Sequence, residues 1–318
     1  TTEPGRPVID PSGVATTELS QTLACSLGAS TGFAGPLLAR FGRTSFPHPG
    51  GDVIGPRPIN VFIYGFRQMG CNVSLDGDCY HIEAPQGLKA ADIFFMFVSV
   101  TGTETLMMAA VGAEGTTTLR NAAMEPEICA LADYLNQSGA KISGAGTPTI
   151  TIEGLGRGAH LRATGEWRTI PDRIEAGSFL LLGALAAKEL AITDCNHEHL
   201  EILIHQLKQS GVAIETTKDT IVVRGGTNIE HLHIRTHEYP GFATDLQPPM
   251  LVYLTQAKGE STIFETIWGG RLNYVQDLVR MGADITLWNP QQVGIKGPTP
   301  LMGRTLESPD IRAGLAFL

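Results

Sequence analysis

Asp52 lies in HPGGDVIGPRPIN, residues 48–60, where two glycines precede it and Gly55, Pro56, Arg57 and Pro58 follow. A long loop restricted at both ends often carries function. A carboxyl group kept protonated in a dry pocket can deliver a proton near neutral pH. The planar fork of Arg57 suits a carboxylate or a phosphate. Asp245 lies in YPGFATDLQPPM, residues 239–250, where Tyr239 and Phe242 flank a Pro-Gly turn that leads toward a helix. A carboxylate there could take a proton from a substrate hydroxyl. Arg271, in FETIWGGRLNYV, residues 264–275, follows two glycines just before a helix, a place where anions are commonly held. In TIPDRIEAGSFL, residues 169–180, Pro171, Asp172 and Glu175 fit the start of a helix, with Arg173 among them. Each residue also has an ordinary use. An Asp among glycines commonly makes a turn bond, an Asp before a helix caps it, and a loop Arg is often a surface charge. Asp172 and Arg173 read equally as a cap with an ion pair. The pattern alone leaves both uses open.

Other motifs are weaker. Gly154, Gly156 and Gly158 lack dinucleotide-binding spacing, Gly144 and Gly146 fare no better, and there is no phosphate-binding GxxxxGK[ST]. Asn196-His197-Glu198-His199 and the His231/His233 pair sit in polar segments without a clear third ligand, so neither a metal nor another cofactor is expected. The five cysteines are scattered and none forms CxxC, which argues against a disulfide framework or zinc site and for a reducing cytoplasm. A net charge of −9 disfavours nucleic acid or an anionic membrane as the main partner. No apolar run reaches the ~18 residues of a membrane span, and no signal peptide is visible.

The elements that must position these residues repeat. FRQMGCNVSL, LNQSGAKISG, LKQSGVAIET and LVRMGADITL each read as a helix end, a Gly stop and an alternating strand. Their glycines, Gly70, Gly139, Gly211 and Gly282, are 69, 72 and 71 residues apart. Interleaved with them are small-residue helices that lead into a turn and a strand: GPLLARFG, ETLMMAAVGAEG, SFLLLGALAAKE and PMLVYLTQAKG. The spacing predicts amphipathic helices over 127–137, 200–209 and 274–280, and strands over 149–152 and 220–223. A unit of about seventy residues holding helices and strands is a repeated α/β subdomain rather than a solenoid repeat. DIRAGLAFL reads as one more such helix with Asp310 as its N-cap. At 318 residues and 42% apolar content, the chain is globular and long enough for two domains.

PGGDVIGPRPIN, AAMEPEI, IPDRIEAGSF, YPGFATDLQ, RMGADI and SPDIRAG occur in one order. Together they resemble the UDP-N-acetylglucosamine 1-carboxyvinyltransferases, the enolpyruvyl transferases that open peptidoglycan synthesis, over nearly the whole chain from about Gly28. The resemblance implies a two-domain inside-out α/β barrel of repeated subdomains, here incomplete. Residues 1–169 would form a first domain without its first subdomain, and residues 170–318 a second domain without its C-terminal end. It implies transfer of the enolpyruvyl group of phosphoenolpyruvate to the 3-hydroxyl of UDP-N-acetylglucosamine, by addition and elimination, with release of phosphate. The chain would act in the cytoplasm as a monomer, without a cofactor.

Residue by residue, Asp52 stands where the family usually has a cysteine on a mobile loop, and some members have aspartate there. A carboxyl group can donate the proton but cannot be alkylated like a thiol, so insensitivity to the epoxide antibiotic fosfomycin is expected. Arg57 resembles a phosphoenolpyruvate-binding arginine. Asp245 resembles the base on the sugar hydroxyl, and Arg271 the cation facing it. Ser99, Val100 and Thr101 match the segment that holds the uridine diphosphate. Glu125, Arg173, Ile267, Asp310 and Arg312 match substrate-binding positions near the cleft.

The chain also departs from the family. Gly28 replaces a phosphate-clamping arginine, Phe97 a lysine and Asn60 an aspartate. Each lost charge-assisted contact typically costs ~1.5–3 kcal/mol. Two other readings therefore accompany the transferase: a non-catalytic or decayed relative that binds a nucleotide sugar, and a sister enolpyruvyl transferase acting on another uridine nucleotide. A missing subdomain would also uncover core surface, so marginal stability or aggregation is expected.

Overall fold

The computed structural model describes residues 13–51, 54–55, 58–162, 165–226 and 228–317. The first unit holds α1 (Gln21–Ser26), α2 (Ala34–Phe41), β1 (Arg43–Pro47), α3 (Asn60–Gln68), β2 (Asn72–Asp76) and β3 (Cys79–Glu83). The second runs β4 (Asp92–Phe94), α4 (Val100–Val111), β5 (Thr116–Arg120), α5 (Pro126–Gln137), β6 (Lys141–Ser143) and β7 (Thr149–Glu153). The third holds α6 (Arg173–Ala186), β8 (Leu190–Thr193), α7 (Glu201–Gln209), β9 (Ala213–Thr216) and β10 (Thr220–Arg224). The fourth repeats the second, with β11 (His233–Arg235), α8 (Gln247–Leu254), β12 (Gly259–Phe264), α9 (Val275–Arg280), β13 (Asp284–Asn289) and β14 (Gln292–Gly297). A final helix, α10 (Ile311–Ala316), follows.

The sheets repeat as the sequence does. Their orders are β1-β3-β2, β4-β5-β7-β6, β8-β10-β9 and β11-β12-β14-β13. In the two four-stranded sheets the first strand pairs in parallel with the second, and the remaining pairs are antiparallel. In the first unit, among the described residues, Glu18 makes a parallel bridge to Ser45 on the outer edge of β1.

Local chemistry sets the joints. α3, α5, α7 and α9 each stop two residues before one of the repeated glycines. Gly70, Gly139, Gly211 and Gly282 have φ of 85°, 106°, 98° and 107°, a left-handed region that side chains with a Cβ adopt only at a cost. The expected elements are present with ends shifted by one residue. A short 3-10 turn (His197–Leu200) precedes α7, and Tyr274 caps α9 rather than beginning it.

The small-residue helices lie inside and the sheets outside. α4 buries residues around its circumference, among them Thr103, Thr105, Leu106, Met107, Ala109 and Ala110. β5 and β7 bury only alternate residues, Thr117 and Leu119 with Ile150 and Ile152. Helices approach closely where side chains are smallest: a Cβ on Gly35 of α2 would sit 2.2 Å from the Thr105 carbonyl oxygen of α4. Two separate apolar interiors result. One runs from Ala34 to Ile152, and the other from Ile174 to Ala313.

Some interior-type helices keep apolar side chains in solvent. Phe179 and Leu182 of α6, and Ile311 and Leu315 of α10, are all exposed. The isolated chain is therefore expected to bind an apolar-surface dye and to self-associate with rising concentration, as read by light scattering. Dye binding no greater than that of a typical folded enzyme, with scattering independent of concentration, contradicts this.

Candidate active site

A cavity of about 990 Å³ separates the halves. Its first wall includes Gly28, Phe97, Ser99, Val100, Thr101, Glu104, Glu125 and Glu127. Its second includes Asp172, Arg173, Tyr239, Thr244, Asp245, Ile267, Trp268 and Arg312. The N-termini of α4 and α6 open on it. Ser99 caps α4, its hydroxyl accepting from the Gly102 N–H at 3.1 Å. Asp172 caps α6, its Oδ1 accepting from Ile174 N–H at 2.8 Å and Glu175 N–H at 3.0 Å. The free N–H groups and dipole of a helix start favour anions.

Asp245 lies in a 3-10 turn, Thr244–Leu246, at the head of α8. Two guanidinium groups grip its carboxylate: Arg271 Nη2 donates to Oδ1 at 2.8 Å, and Arg312 Nε to Oδ2 at 3.1 Å. Arg271 is only 2% exposed, whereas the Asp245 side chain is 35% exposed. Each carboxylate oxygen carries two lone pairs, so the charge is held firmly while an acceptor position stays open. The Arg271 Nε is buried with no hydrogen-bond partner among the described residues. Such an orphan costs about 1–3 kcal/mol, which a purely structural site would be expected to avoid.

Arg173 ties the halves together. Its Nε donates to Glu127 Oε1 at 3.0 Å, and its guanidinium lies 5.6 Å from the Tyr239 ring centre. The Tyr239 N–H donates to Glu125 Oε1 at 3.4 Å. Burial raises the Glu125 carboxyl above the usual carboxylate range, and the Tyr239 N–H and Arg173 pull against it. Burial, aided by Glu127 and Glu125, pushes the Glu104 carboxyl from 4.5 up to about 7. A carboxyl raised in the folded state keeps its proton longer than in the unfolded chain. Its stabilising effect is therefore complete below 4.5 and is lost as pH rises from there through about 7. The loss attributable to this group is up to about 3 kcal/mol. Glu104→Gln is expected to flatten that part of the profile, shrinking the fall in Tm between pH 5 and pH 8. Identical falls in variant and parent refute the assignment.

The expected site residues divide into three groups. Ser99, Val100, Thr101, Glu125, Arg173, Asp245, Ile267 and Arg312 line the one cavity, with Arg271 behind Asp245. Asp310 is not among the lining residues. It caps α10, its Oδ1 accepting from Arg312 N–H at 2.8 Å and Ala313 N–H at 3.0 Å, and so holds Arg312 in place. Asp52 and Arg57 lie outside the described residues. Between them, the Ile54 carbonyl oxygen accepts from Gly270 N–H at 3.1 Å, next to Arg271.

The substituted positions Gly28 and Phe97 are on the cavity wall, while Asn60 begins α3 and is not. The histidine pairs stay apart from any third ligand: among the described residues no three His, Cys, Asp or Glu side chains form a metal-sized group. Glu104, Glu127 and Glu265 are additions to the expected set. Glu104 follows Thr101 by three residues and Val100 by four, the spacing of one helix face, so its place was open to inference. No local pattern marks Glu265.

Comparison with known proteins gives three findings. The profile of the family EPSP synthase (3-phosphoshikimate 1-carboxyvinyltransferase) matches residues 3–318. A UDP-N-acetylglucosamine 1-carboxyvinyltransferase of Solibacter usitatus (strain Ellin6076) is 43% identical over 305 residues, covering 95% of this chain and 71% of the relative. UDP-N-acetylglucosamine 1-carboxyvinyltransferase 2 of Lactiplantibacillus plantarum is 42% identical over 311 residues, 98% of this chain and 72% of that one. Among solved structures, the enolpyruvyl transferase NikO from Streptomyces tendae superposes with a TM-score of 0.81 at 21% identity, covering 95% of this chain and 71% of that one. At that identity the likeness establishes the shared fold alone.

Proposed function

The chain belongs to the EPSP synthase family, and from that premise we propose that it carries the enolpyruvyl group of phosphoenolpyruvate to the 3-hydroxyl of UDP-N-acetylglucosamine and releases phosphate. This is the committed step into peptidoglycan, with consequences for cell shape and division. The observation that carries the reading is the Asp245 carboxylate, partly open to the cavity and fixed by Arg271 and Arg312.

The sugar nucleotide lies with its diphosphate toward the Ser99–Val100–Thr101 start of α4, where free N–H groups accept anions. Its hydroxyl faces Asp245. Asp52 protonates the methylene carbon of phosphoenolpyruvate, which makes the neighbouring carbon cationic, and Arg57 holds the substrate's anionic groups. Asp245 takes the hydroxyl proton as the sugar oxygen bonds to that carbon. The resulting tetrahedral ketal loses phosphate, and a proton of its new methyl group returns to the Asp52 carboxylate, restoring the double bond on the sugar-bound group. Arg271 and Arg312 hold the Asp245 carboxylate in place while water is excluded.

We assign residues 1–169 and 170–318 to two domains facing each other across the cavity, a division that the separate apolar interiors support. Both walls come from one chain, which favours a monomer as the active unit. All five cysteines are free, in keeping with a reducing cytoplasm. Among the described residues no helix is long and apolar enough to cross a membrane.

The test is phosphate release from phosphoenolpyruvate with UDP-N-acetylglucosamine, with the product identified by mass. Release that requires both compounds is expected, and none with either alone. Binding of the nucleotide without release favours a non-catalytic relative. Release only with another uridine nucleotide favours the sister enzyme, for which Gly28 and Phe97 on the cavity wall are the relevant changes.

A further inference from the structure

Glu265 is a completely buried carboxylate immediately after β12, and among the described residues it has no ion pair. Burying a charge without a cation costs several kcal/mol unless hydrogen bonds satisfy it. Three donors do so here. Ile267 N–H and Trp268 N–H donate to its Oε1 at 2.8 and 3.1 Å, and the Thr244 hydroxyl donates to its Oε2 at 2.9 Å. These donors belong to different segments. Thr244 immediately precedes Asp245, and Ile267 and Trp268 begin the loop that ends in Arg271. The Arg271 N–H in turn donates to the Trp268 carbonyl at 3.3 Å. One side chain thus fastens the turn bearing the carboxylate to the loop bearing its guanidinium.

We propose that Glu265 is a positioning residue for the transfer reaction, fixing the distance between Asp245 and Arg271 through Thr244 on one side and the 267–268 backbone on the other. The inference rests on the transferase reading and on Asp245 as its base. A neutral Gln fits the same position. Its carbonyl would serve the two N–H groups, and its amide would donate to the Thr244 hydroxyl. The negative charge itself is therefore dispensable, and the hydrogen-bonded frame is what matters.

The experiment measures kcat and KM for phosphate release, per folded molecule, in the parent chain and in E265A, E265Q, T244V, T244S and E265A/T244V. A misplacement of about 1 Å near the reacting atoms costs on the order of 100-fold. E265A is expected to lose about 100-fold in kcat and T244V about 10-fold, with KM changed less than about threefold. E265Q and T244S should stay within about threefold of the parent. The double variant should be no worse than E265A, since both act through one linkage. A purely structural role would lower Tm and leave kcat per folded molecule unchanged, and that result overturns the proposal. If E265A does not fold, T244V against T244S decides: equal rates overturn it, and a loss confined to T244V supports it. A parent chain that releases no phosphate overturns the transferase reading, and this inference with it. A parent that turns over alongside unaffected variants overturns this inference alone.

Discussion

Asp245→Asn is expected to lower phosphate release by about 1,000-fold while the sugar nucleotide still binds. General-base catalysis typically contributes 100- to 10,000-fold, and this carboxylate is the proposed acceptor of the hydroxyl proton. Asparagine keeps the size of the side chain and one oxygen for Arg271, so the turn should survive. Alanine is a poorer test, because it strands a guanidinium that is 2% exposed. Leaving a buried charge without its partner commonly costs about 3–5 kcal/mol. The check is steady-state phosphate release beside calorimetric titration with UDP-N-acetylglucosamine. A variant within tenfold of the parent rate would remove Asp245 from the chemistry. A variant that loses binding as much as turnover would make it a ligand contact rather than a base.

The second large effect concerns Asp52. The parent chain is expected to keep its activity in fosfomycin, whereas Asp52→Cys should remain active and be inactivated progressively by the same compound. A thiolate opens an epoxide readily: sulfur bonds to a ring carbon, the carbon–oxygen bond breaks, and the oxygen takes up a proton. A carboxyl group that carries the transferable proton has little nucleophilic character. Intact-protein mass spectrometry should show one adduct on the variant and none on the parent. An adduct at Asp52 in the parent would refute the assignment, as would an Asp52→Cys variant that turns over normally and never becomes labelled. Asp52→Asn, which can neither give nor take the proton, should lose about 100-fold or more.

What could be read from the sequence was what is local. The helix–glycine–strand joints were legible because a left-handed residue at a helix end is a demand on one position. Asp310 as the cap of α10 follows from its place before a small-residue run, and the acids and Arg of residues 169–180 mark the opening of α6. Residue partnerships were not legible. Asp172 does cap α6, but Arg173 reaches across to Glu127, 46 residues away, rather than pairing with its neighbour. Tyr239 meets Glu125 over 114 residues. Asp245 and Arg271 were distinguished from an ordinary cap and a loop cation only by family resemblance. Nothing in their spacing says that the chain folds back to join them. Glu265 is the clearest case. Its neighbours in sequence suggest a strand end, and its importance exists only once residues 244, 267 and 268 converge.

The two interiors share no common packing, and the halves meet through polar links such as Arg173 with Glu127, Tyr239 with Glu125, and Gly270 with Ile54. A few exchangeable hydrogen bonds, each worth about 1 kcal/mol net, form a weak clasp compared with an oil-filled seam. Exchanging those bonds for water would leave the packing of both interiors as it is. The work of holding the two walls at their spacing therefore falls on a handful of solvent-exchangeable contacts, while each half keeps its own shape from its own interior.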